Sequence, residues 1–231
     1  MKIAGLQKLT LLDFPEKVAS IVFTAGCNFR CPFCHNGSLV LENDPIQAID
    51  EAEVMAFLAK RKGILEGVVV TGGEPLLHSD LPDFLKKVKD LGYLVKLDTN
   101  GSNPHRLSEL MEKQLLDYVA MDIKNAPATY EKAVGCPHFS LSAIEQTKAL
   151  LEKSGIPHEF RTTLVRGIHR EADVQAMAEW LKGAEAYYLQ SYVPSERVLS
   201  PVGLSPFSNA EMEQFLFTVQ KFVPNAKLRG M

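Results

Sequence analysis

Apolar residues along the chain occur in two spacings that alternate six times. Short apolar runs predict strands, and they cover residues 18–24, 67–71, 93–98, 117–122, 158–165 and 186–190. Other segments have apolar residues at every third or fourth position, which is typical of an amphipathic helix. These segments cover residues 51–61, 81–91, 104–111, 142–154, 171–182 and 209–222. The alternation predicts six consecutive strand–helix units.

Polar residues in front of several helical segments predict where those helices begin. Asn103 precedes Pro104, which is the arrangement of an N-cap followed by proline at the first helical position. Ser79 is a candidate cap for the segment 81–91. Ser142 and Ser208 are each followed by a glutamate three residues later, and this spacing predicts a capping box at both positions.

Six strand–helix units predict right-handed crossovers and a parallel sheet, so the predicted fold class is α/β. Six strands are too few to close the usual eight-stranded barrel. No repeat, low-complexity tract or linker divides the chain, and residues 1–231 are predicted to form one domain. The two longest irregular stretches cover residues 36–50 and 192–207. Long loops of this kind are often functional, and the second is a candidate for docking or gating.

Composition limits the classes of function. The 231 residues are 46% hydrophobic and 23% charged, as in an ordinary globular enzyme. The net charge is −3 and no long basic run is present, so nothing in the composition favours nucleic acid binding. No apolar stretch approaches the roughly 20 residues of a membrane-spanning helix. The N-terminal residues lack an apolar signal-peptide core, and a cytoplasmic location is therefore predicted.

Three of the four cysteines lie within eight residues. Cys27, Cys31 and Cys34 have the spacing C-x3-C-x2-C. Three thiolates can bind three irons of a 4Fe–4S cluster and leave the fourth iron open to a ligand that is not protein. A zinc site with His35 as fourth ligand is an alternative, although structural zinc sites usually use two separated pairs of ligands. A disulfide framework is disfavoured in a chain of this size with so few cysteines.

This cysteine spacing, with Phe33 directly before the last cysteine, resembles the signature of the radical S-adenosylmethionine (SAM) family. Gly72, Gly73 and Glu74, followed by proline, resemble the family's GGEP segment. Residues 10–15 (TLLDFP) and 23–36 (FTAGCNFRCPFCHN) resemble the activating proteins of anaerobic ribonucleoside-triphosphate reductase. Pyruvate formate-lyase activating enzymes are similar, and the resemblance extends over nearly the whole chain.

The resemblance implies an open (β/α)6 partial TIM barrel that binds a 4Fe–4S cluster and SAM. It implies that SAM binds the open iron and is cleaved reductively to a 5′-deoxyadenosyl radical. That radical removes a hydrogen atom from a glycine of a partner, a glycyl radical enzyme. A flavodoxin- or ferredoxin-type protein would donate the electron, and an exposed, partly ligated iron would demand low oxygen.

The resemblance also implies roles for particular residues. The GGEP segment would bind the methionine amino group of SAM, the Phe33 backbone would meet the adenine, and Lys124 would approach the carboxylate. Asp98, Thr99, the backbone of Met121, and Asp122 would form a monovalent cation site. Further residues expected near SAM are His35, Asn100 and Arg161.

Structural explanations stand beside these implied roles. A glycine pair after a strand also fits a plain turn, and an aspartate at a strand end also fits a cap or turn. Lys124 could be a solvated lysine, and His35 could form a hydrogen bond within its loop. Arg161 lies in an apolar strand, where a charge is costly unless it is paired. It is expected to point into the barrel toward SAM or Asp122, or to form a salt bridge lower in the barrel.

The chain departs from the family pattern at three positions. Val193 follows Tyr192, where pyruvate formate-lyase activases have a histidine, so a ribose contact is in doubt there. Glu16 replaces the usual glycine of the reductase activators, and Cys136 is predicted to be a free thiol. Alternatives remain open: activation of pyruvate formate-lyase or another glycyl radical enzyme, radical chemistry on a small molecule such as a purine-like ring, or a non-catalytic iron–sulfur or zinc protein.

Overall fold

The strands form one sheet in the computed structural model, which describes residues 1–41, 47–136 and 139–230. Within these ranges eight strands lie side by side in the order of the sequence. The first pair is antiparallel and all the others are parallel. The strands are β1 (Ile3–Thr10), β2 (Ala19–Thr24), β3 (Gly67–Gly72), β4 (Leu94–Thr99), β5 (Tyr118–Asp122), β6 (His158–Leu164), β7 (Tyr187–Ser191) and β8 (Lys227–Arg229).

Helices connect most of the parallel strands, as the apolar spacing predicts. They are α1 (Gly37–Leu41), α2 (Glu51–Lys60), α3 (Leu81–Asp90), α4 (Pro104–Glu112), α5 (Tyr130–Val134), α6 (Leu141–Ser154), α7 (Glu171–Trp180) and α8 (Asn209–Gln220). None of the helices in the described ranges combines the length and the apolar composition needed to cross a membrane.

The two faces of the sheet pack differently. Val68 and Val70 of β3 belong to the main core, where helical residues such as Phe84 cover the sheet. Val69 points the other way and joins a small apolar cluster with Phe14 and other residues of the concave face. Because β1 and β8 pair with only one neighbour each, the sheet is open between them. The predicted α/β fold with an open, partial barrel is therefore confirmed.

The six predicted strands are all present, but β1 and β8 were not predicted. Both are edge strands. The sequence of β1, IAGLQKLT, mixes polar and apolar residues, and its pairing with β2 is interrupted by irregular register. The three residues of β8 are too few for a recognisable pattern. An edge strand buries less of its surface than a central one, so it needs less apolar sequence.

Two of the four predicted helix caps are confirmed. Asn103 accepts a hydrogen bond from the Arg106 amide, and Ser208 forms the expected capping box. The prediction for Ser142 is wrong, because α6 begins two residues earlier with Ser140 as its cap. The prediction for Ser79 is also wrong: α3 begins after Asp80, which makes no side-chain cap bond. Of the predicted irregular stretch 36–50, residues 42–46 lie outside the described residues.

Candidate functional site

A cavity of about 220 Å³ lies at the carboxyl ends of the parallel strands. Loops after β2, β3, β4 and β5 meet there, together with β6. The predicted site residues that line it are Cys27, Cys31, Phe33, Cys34, His35, Gly72, Gly73, Asp98, Thr99, Asn100, Asp122, Lys124 and Arg161. Of the predicted set, Glu74 and Met121 do not line it. The convergence follows from the topology, because parallel strands bring their carboxyl ends to one edge of the sheet.

The cysteine loop follows β2 and is fixed by backbone hydrogen bonds. The Cys34 amide donates to the Cys31 carbonyl at 3.0 Å, and the Arg30 amide donates to the Val134 carbonyl at 2.7 Å. Cys31 is buried, and Cys27 and Cys34 are half-buried. All four cysteines of the chain are free thiols, which rules out the disulfide framework in this structure.

Burial controls the protonation of these thiols. It raises the pKa of Cys31 to about 12, and burial together with the nearby Glu74 raises the pKa of Cys27 to about 11. Thiols of this kind stay protonated at neutral pH unless a cation replaces the proton. A metal centre supplies such a charge. One buried and two half-buried thiols around one cavity therefore fit the cluster that the sequence predicts.

A single metal ion would need a tighter arrangement of ligands. Within the described ranges no group of three or more His, Cys, Asp or Glu side chains surrounds one point as a mononuclear site requires. His35, the proposed fourth ligand of zinc, packs its ring on Tyr192 with the ring centroids 5.5 Å apart.

The glycine pair after β3 lies directly against the cysteine loop. A Cβ atom on Gly73 would be 1.9 Å from the Gly26 carbonyl oxygen, so only glycine fits. Gly72 has a φ of 114°, and its carbonyl accepts a hydrogen bond from Asn36 Nδ2 at 3.1 Å. The pair thus presents bare backbone at the cavity wall, a surface on which a ligand can approach closely.

Glu74 is fully buried behind this wall. Its carboxylate accepts hydrogen bonds from Thr99 Oγ1 at 2.8 Å, from the Asn100 amide at 2.7 Å and from the Leu76 amide at 3.1 Å. Burial raises the pKa of Glu74 to about 7 despite these donors. Through these hydrogen bonds the Glu74 side chain links the loop after β3 to the end of β4 and the loop that follows it.

Asn100 connects the end of β4 to the cysteine loop. Its side-chain Nδ2 donates to Asn28 Oδ1 at 2.9 Å and lies 3.8 Å from Cys27 Sγ. Hydrogen bonds to ligating sulfurs are one of the means by which proteins tune iron–sulfur clusters. Asn100 therefore contacts the cysteine loop directly as well as lining the cavity.

Five charged side chains form a network. They are Lys96 and Asp98 on β4, Asp122 on β5, Arg161 on β6 and Lys124 just after β5. Lys96 Nζ and Arg161 Nη1 each bond one oxygen of Asp98, at 2.6 and 3.0 Å. Arg161 Nε and Lys124 Nζ each bond one oxygen of Asp122, at 3.0 and 2.9 Å. Burial by itself would raise the pKa of both carboxyls, but the neighbouring cations outweigh it and lower the pKa of each below its ordinary value. The predicted contact of Arg161 with Asp122 is thus present.

The predicted monovalent cation site includes the same two carboxylates, Asp98 and Asp122. All four carboxylate oxygens of Asp98 and Asp122 already accept bonds from Lys96, Arg161 or Lys124. Positive side chains therefore pair with both carboxylates in this structure.

Sequence reasoning missed two residues of this region. Lys96 lies in an apolar strand and is 1% exposed. Like Arg161, it is a charge that is costly to bury unless it is paired. His169 is buried behind the cavity and bonds the backbone of Lys124. Nothing in its local sequence distinguishes it from an exposed loop histidine.

The family comparison agrees with this geometry. Residues 21–181 match the Radical SAM superfamily. The chain belongs to this superfamily. As a radical SAM enzyme it binds a 4Fe–4S cluster and SAM, and this membership replaces the zinc alternative and the alternative of a non-catalytic protein.

Relatives within the superfamily differ in how much of their length the chain covers. A Methanocaldococcus jannaschii protein, provisionally named as a glycyl-radical enzyme activating enzyme, is 29% identical over 98% of this chain and 95% of its own length. A Thermococcus kodakarensis protein, provisionally named as a GTP 3′,8-cyclase, is 29% identical over 69% of this chain and 51% of its own length.

Solved structures share the fold. SuiB of Streptococcus suis, crystallised with the precursor peptide SuiA, superimposes with a TM-score of 0.70 at 13% identity. The match covers 91% of this chain and 48% of SuiB. The radical SAM chain described here therefore spans about half the length of SuiB and of the cyclase.

Proposed function

We propose that this radical SAM enzyme generates a glycyl radical on a partner protein, with anaerobic ribonucleoside-triphosphate reductase as the preferred partner. Once bound, the cluster and SAM supply a 5′-deoxyadenosyl radical and methionine through one-electron cleavage of the S–C5′ bond. Hydrogen transfer from a glycine Cα to that radical would yield 5′-deoxyadenosine and the glycyl radical. A flavodoxin- or ferredoxin-type donor in an oxygen-poor cytoplasm would restore the lost electron.

Different residues of the cavity would bind the cluster and SAM. Cys27, Cys31 and Cys34 would each ligate one iron. The bare backbone of Gly72 and Gly73 would accept the methionine amino group at close range, because no side chain stands in the way. Further proposed SAM contacts are Phe33, His35, Asp98, Thr99, Asn100, Asp122 and Arg161.

Lys124 and Glu74 have more specific proposed roles. The Lys124 ammonium is available to the SAM carboxylate as a point charge while it remains paired with Asp122 at 2.9 Å. Glu74 would act on SAM indirectly, because its carboxylate already accepts hydrogen bonds from Thr99, Asn100 and Leu76. It would fix the wall that SAM touches.

The observation that carries the proposal is the match along almost the full length of a relative named for glycyl-radical activation. The sequences around the cysteines support the same choice, since they resemble reductase activators. The open side of the sheet between β1 and β8 is also consistent with a protein substrate, because a glycine-bearing loop needs lateral access.

The test is anaerobic incubation of the reconstituted protein with reductant, SAM and the glycine-containing domain of the reductase. We expect a glycine-centred EPR doublet and a matching amount of 5′-deoxyadenosine. A partner labelled with deuterium at the glycine Cα should pass deuterium into 5′-deoxyadenosine, and a Gly→Ala partner should give no doublet. A well-reduced cluster that yields no doublet with the reductase domain or with pyruvate formate-lyase would refute the proposal.

Radical chemistry on a purine nucleotide is the second candidate. It is favoured by the relatives provisionally named as GTP 3′,8-cyclases, which match 28–32% of aligned residues. Adding GTP without any partner protein separates the two candidates. Formation of 5′-deoxyadenosine that depends on GTP and leaves a modified nucleotide would favour this candidate over glycyl-radical activation.

A further inference from the structure

Three side chains from other parts of the chain donate hydrogen bonds to the backbone at the end of β5. Three consecutive carbonyl groups accept one side-chain hydrogen bond each: Asp122 from Tyr130 at 3.4 Å, Ile123 from Thr162 at 2.8 Å, and Lys124 from His169 at 2.9 Å. Carbonyl groups beyond a strand end have lost their ladder partners, so such donors determine where the backbone lies. The last of the three determines the position of Lys124.

The hydrogen bonds of His169 define its tautomer. The Val165 amide can only donate, so Nδ1 of His169, 3.0 Å away, must accept. Nε2 therefore carries the proton in the neutral ring and donates to the Lys124 carbonyl. Burial lowers the pKa of His169, which favours this neutral form. The residue as a whole is only 4% exposed.

His169 also touches the cysteine loop. Its ring meets the ring of Phe33 edge-on, with the centroids 5.9 Å apart. Phe33 and Lys124 both line the cavity, whereas His169 lies behind them and does not. A single buried ring thus contacts the end of β5, the loop after β6 and the cysteine loop.

We propose that His169 is a positioning residue that sets the location of Lys124 relative to the cysteine loop and thereby the affinity for SAM. The position of the ammonium matters because Coulomb attraction depends on distance and is strong in a partly dehydrated cavity. This inference rests on the cofactors of the superfamily and not on the glycyl substrate. Its test is therefore independent of which substrate the enzyme converts to a radical.

Two substitutions separate the two hydrogen bonds of His169. The amide group of asparagine reaches about as far as Nδ1, so His169→Asn keeps an acceptor for Val165 and loses the donor to Lys124. The longer glutamine reaches about as far as Nε2, so His169→Gln keeps the donor and loses the acceptor. Hydrogen–deuterium exchange at the Val165 amide reports which bond survives: protection should persist in H169N and fall in H169Q.

The deciding measurement is equilibrium binding of SAM to anaerobically reconstituted protein, followed by the SAM-induced change in the cluster EPR spectrum. The loss of one hydrogen bond that fixes Lys124 should weaken SAM binding about threefold to tenfold in H169N. H169Q should remain within about twofold of the wild type. The same comparison in a Lys124→Met background should show no difference between the two variants, because the group being positioned is gone.

A merely structural role gives different results. In that case both variants would lose thermal stability and SAM affinity in parallel, and the loss in H169N would persist in the Lys124→Met background. Either outcome would overturn the proposal, as would equal affinities of H169N and H169Q. A difference that disappears with Lys124→Met supports it.

Discussion

The thiols of the cysteine loop illustrate how a single residue depends on its surroundings. Burial raises the pKa of Cys27 and Cys31 to about 11 and 12, so these two thiols are neutral in the loop without metal. Binding of the cluster must therefore release protons, and it should be favoured by higher pH. The same burial later shields the cluster from solvent, which is one of the determinants of its reduction potential.

We expect Cys31→Ser to abolish stable iron binding and SAM cleavage, since only two cluster ligands would remain in the loop. Cys136→Ser is the matched control. That cysteine belongs to a different loop and does not line the cavity, so iron content and 5′-deoxyadenosine formation should be unchanged. Iron analysis and chromatography of anaerobic samples provide the measurements. Full activity of the Cys31 variant would contradict the assignment of the ligands.

Gly73→Ala should destabilise the protein and weaken SAM binding. Its new Cβ would overlap the Gly26 carbonyl, and the displaced backbone would carry the cysteine loop with it. Overpacking of this kind costs about 1–3 kcal/mol. Gly5→Ala is the control, because its Cβ would make an ordinary contact of 3.4 Å with Phe23. Denaturant unfolding and SAM titration should distinguish the two variants, and equal behaviour would show that the close approach is unimportant.

The lowered pKa of His169 predicts how stability depends on pH. Its ordinary value is 6.5, and burial lowers it in the folded protein. Below pH 6.5 the unfolded chain binds a proton that the folded chain resists, although the nearby Asp173 opposes part of this effect. The contribution is therefore fully present above pH 6.5 and is lost as the pH falls toward the lower, folded-state value.

Melting temperatures measured from pH 7.5 to 5.5 test this expectation. The wild type should lose more stability over this range than H169Q, which has no titrating group at the position. His35, whose pKa burial also lowers, is present in both proteins and cancels in the comparison. Parallel curves for the two proteins would mean that His169 does not titrate in this window.

At the scale of elements, the sheet shows which strands can be predicted from sequence. Strands β2 and β3 are buried along most of their length, so their sequences, ASIVFT and GVVVTG, are nearly continuous apolar runs with clear boundaries. The edge strands β1 and β8 lack this signal. The helix caps show a similar limit: serine is a favoured capping residue type and occurs at both 140 and 142, but in the structure only Ser140 caps α6.

An ion pair joins the short strand β8 to the buried Glu159 of β6. Arg229 bonds both oxygens of Glu159 at 2.9 and 3.0 Å, and Tyr118 donates to the same carboxylate at 3.2 Å. Glu159 is completely buried. We expect Arg229→Met to lower the free energy of unfolding by about 3 kcal/mol, because an uncompensated buried charge remains.

A double-mutant cycle in denaturant tests this explanation. Glu159→Gln removes the charge that Arg229 compensates, so Arg229→Met should cost clearly less in that background. The difference between the two costs is the coupling energy of the pair. Additive effects would mean that β8 is held by its backbone pairing with β7 and not by Arg229.

At the scale of the whole molecule, the location of the site was predictable but its charge pattern was not. The motif residues follow successive parallel strands, and the topology alone brings their loops to one edge. The partners of each carboxylate are decided by side chains on neighbouring strands, such as Lys96 on β4 and Arg161 on β6. His169 contacts the site through hydrogen bonds to the backbone of Val165 and Lys124 and through its ring against Phe33. The local sequence around each residue does not indicate such contacts.

The charge network leads to a prediction about ion dependence. Three positive side chains surround the two carboxylates of Asp98 and Asp122, and each of the four carboxylate oxygens accepts a hydrogen bond from one of them. A bound Na⁺ or K⁺ would add charge to a group that already carries a positive excess. SAM affinity and SAM cleavage should therefore agree within about twofold in potassium and in tetramethylammonium at equal ionic strength.

Lys96→Met tests the cause of this independence. Removing the ammonium frees one oxygen of Asp98 and leaves two positive side chains for two carboxylates. A monovalent cation can then bind without creating a positive excess, and hard oxygen ligands suit it. The variant should bind SAM more tightly in potassium than in tetramethylammonium, while the wild type shows no preference. A wild-type protein that itself requires potassium would mean that the ion pairs open when the cofactors bind, and that the cation site predicted from the sequence then forms.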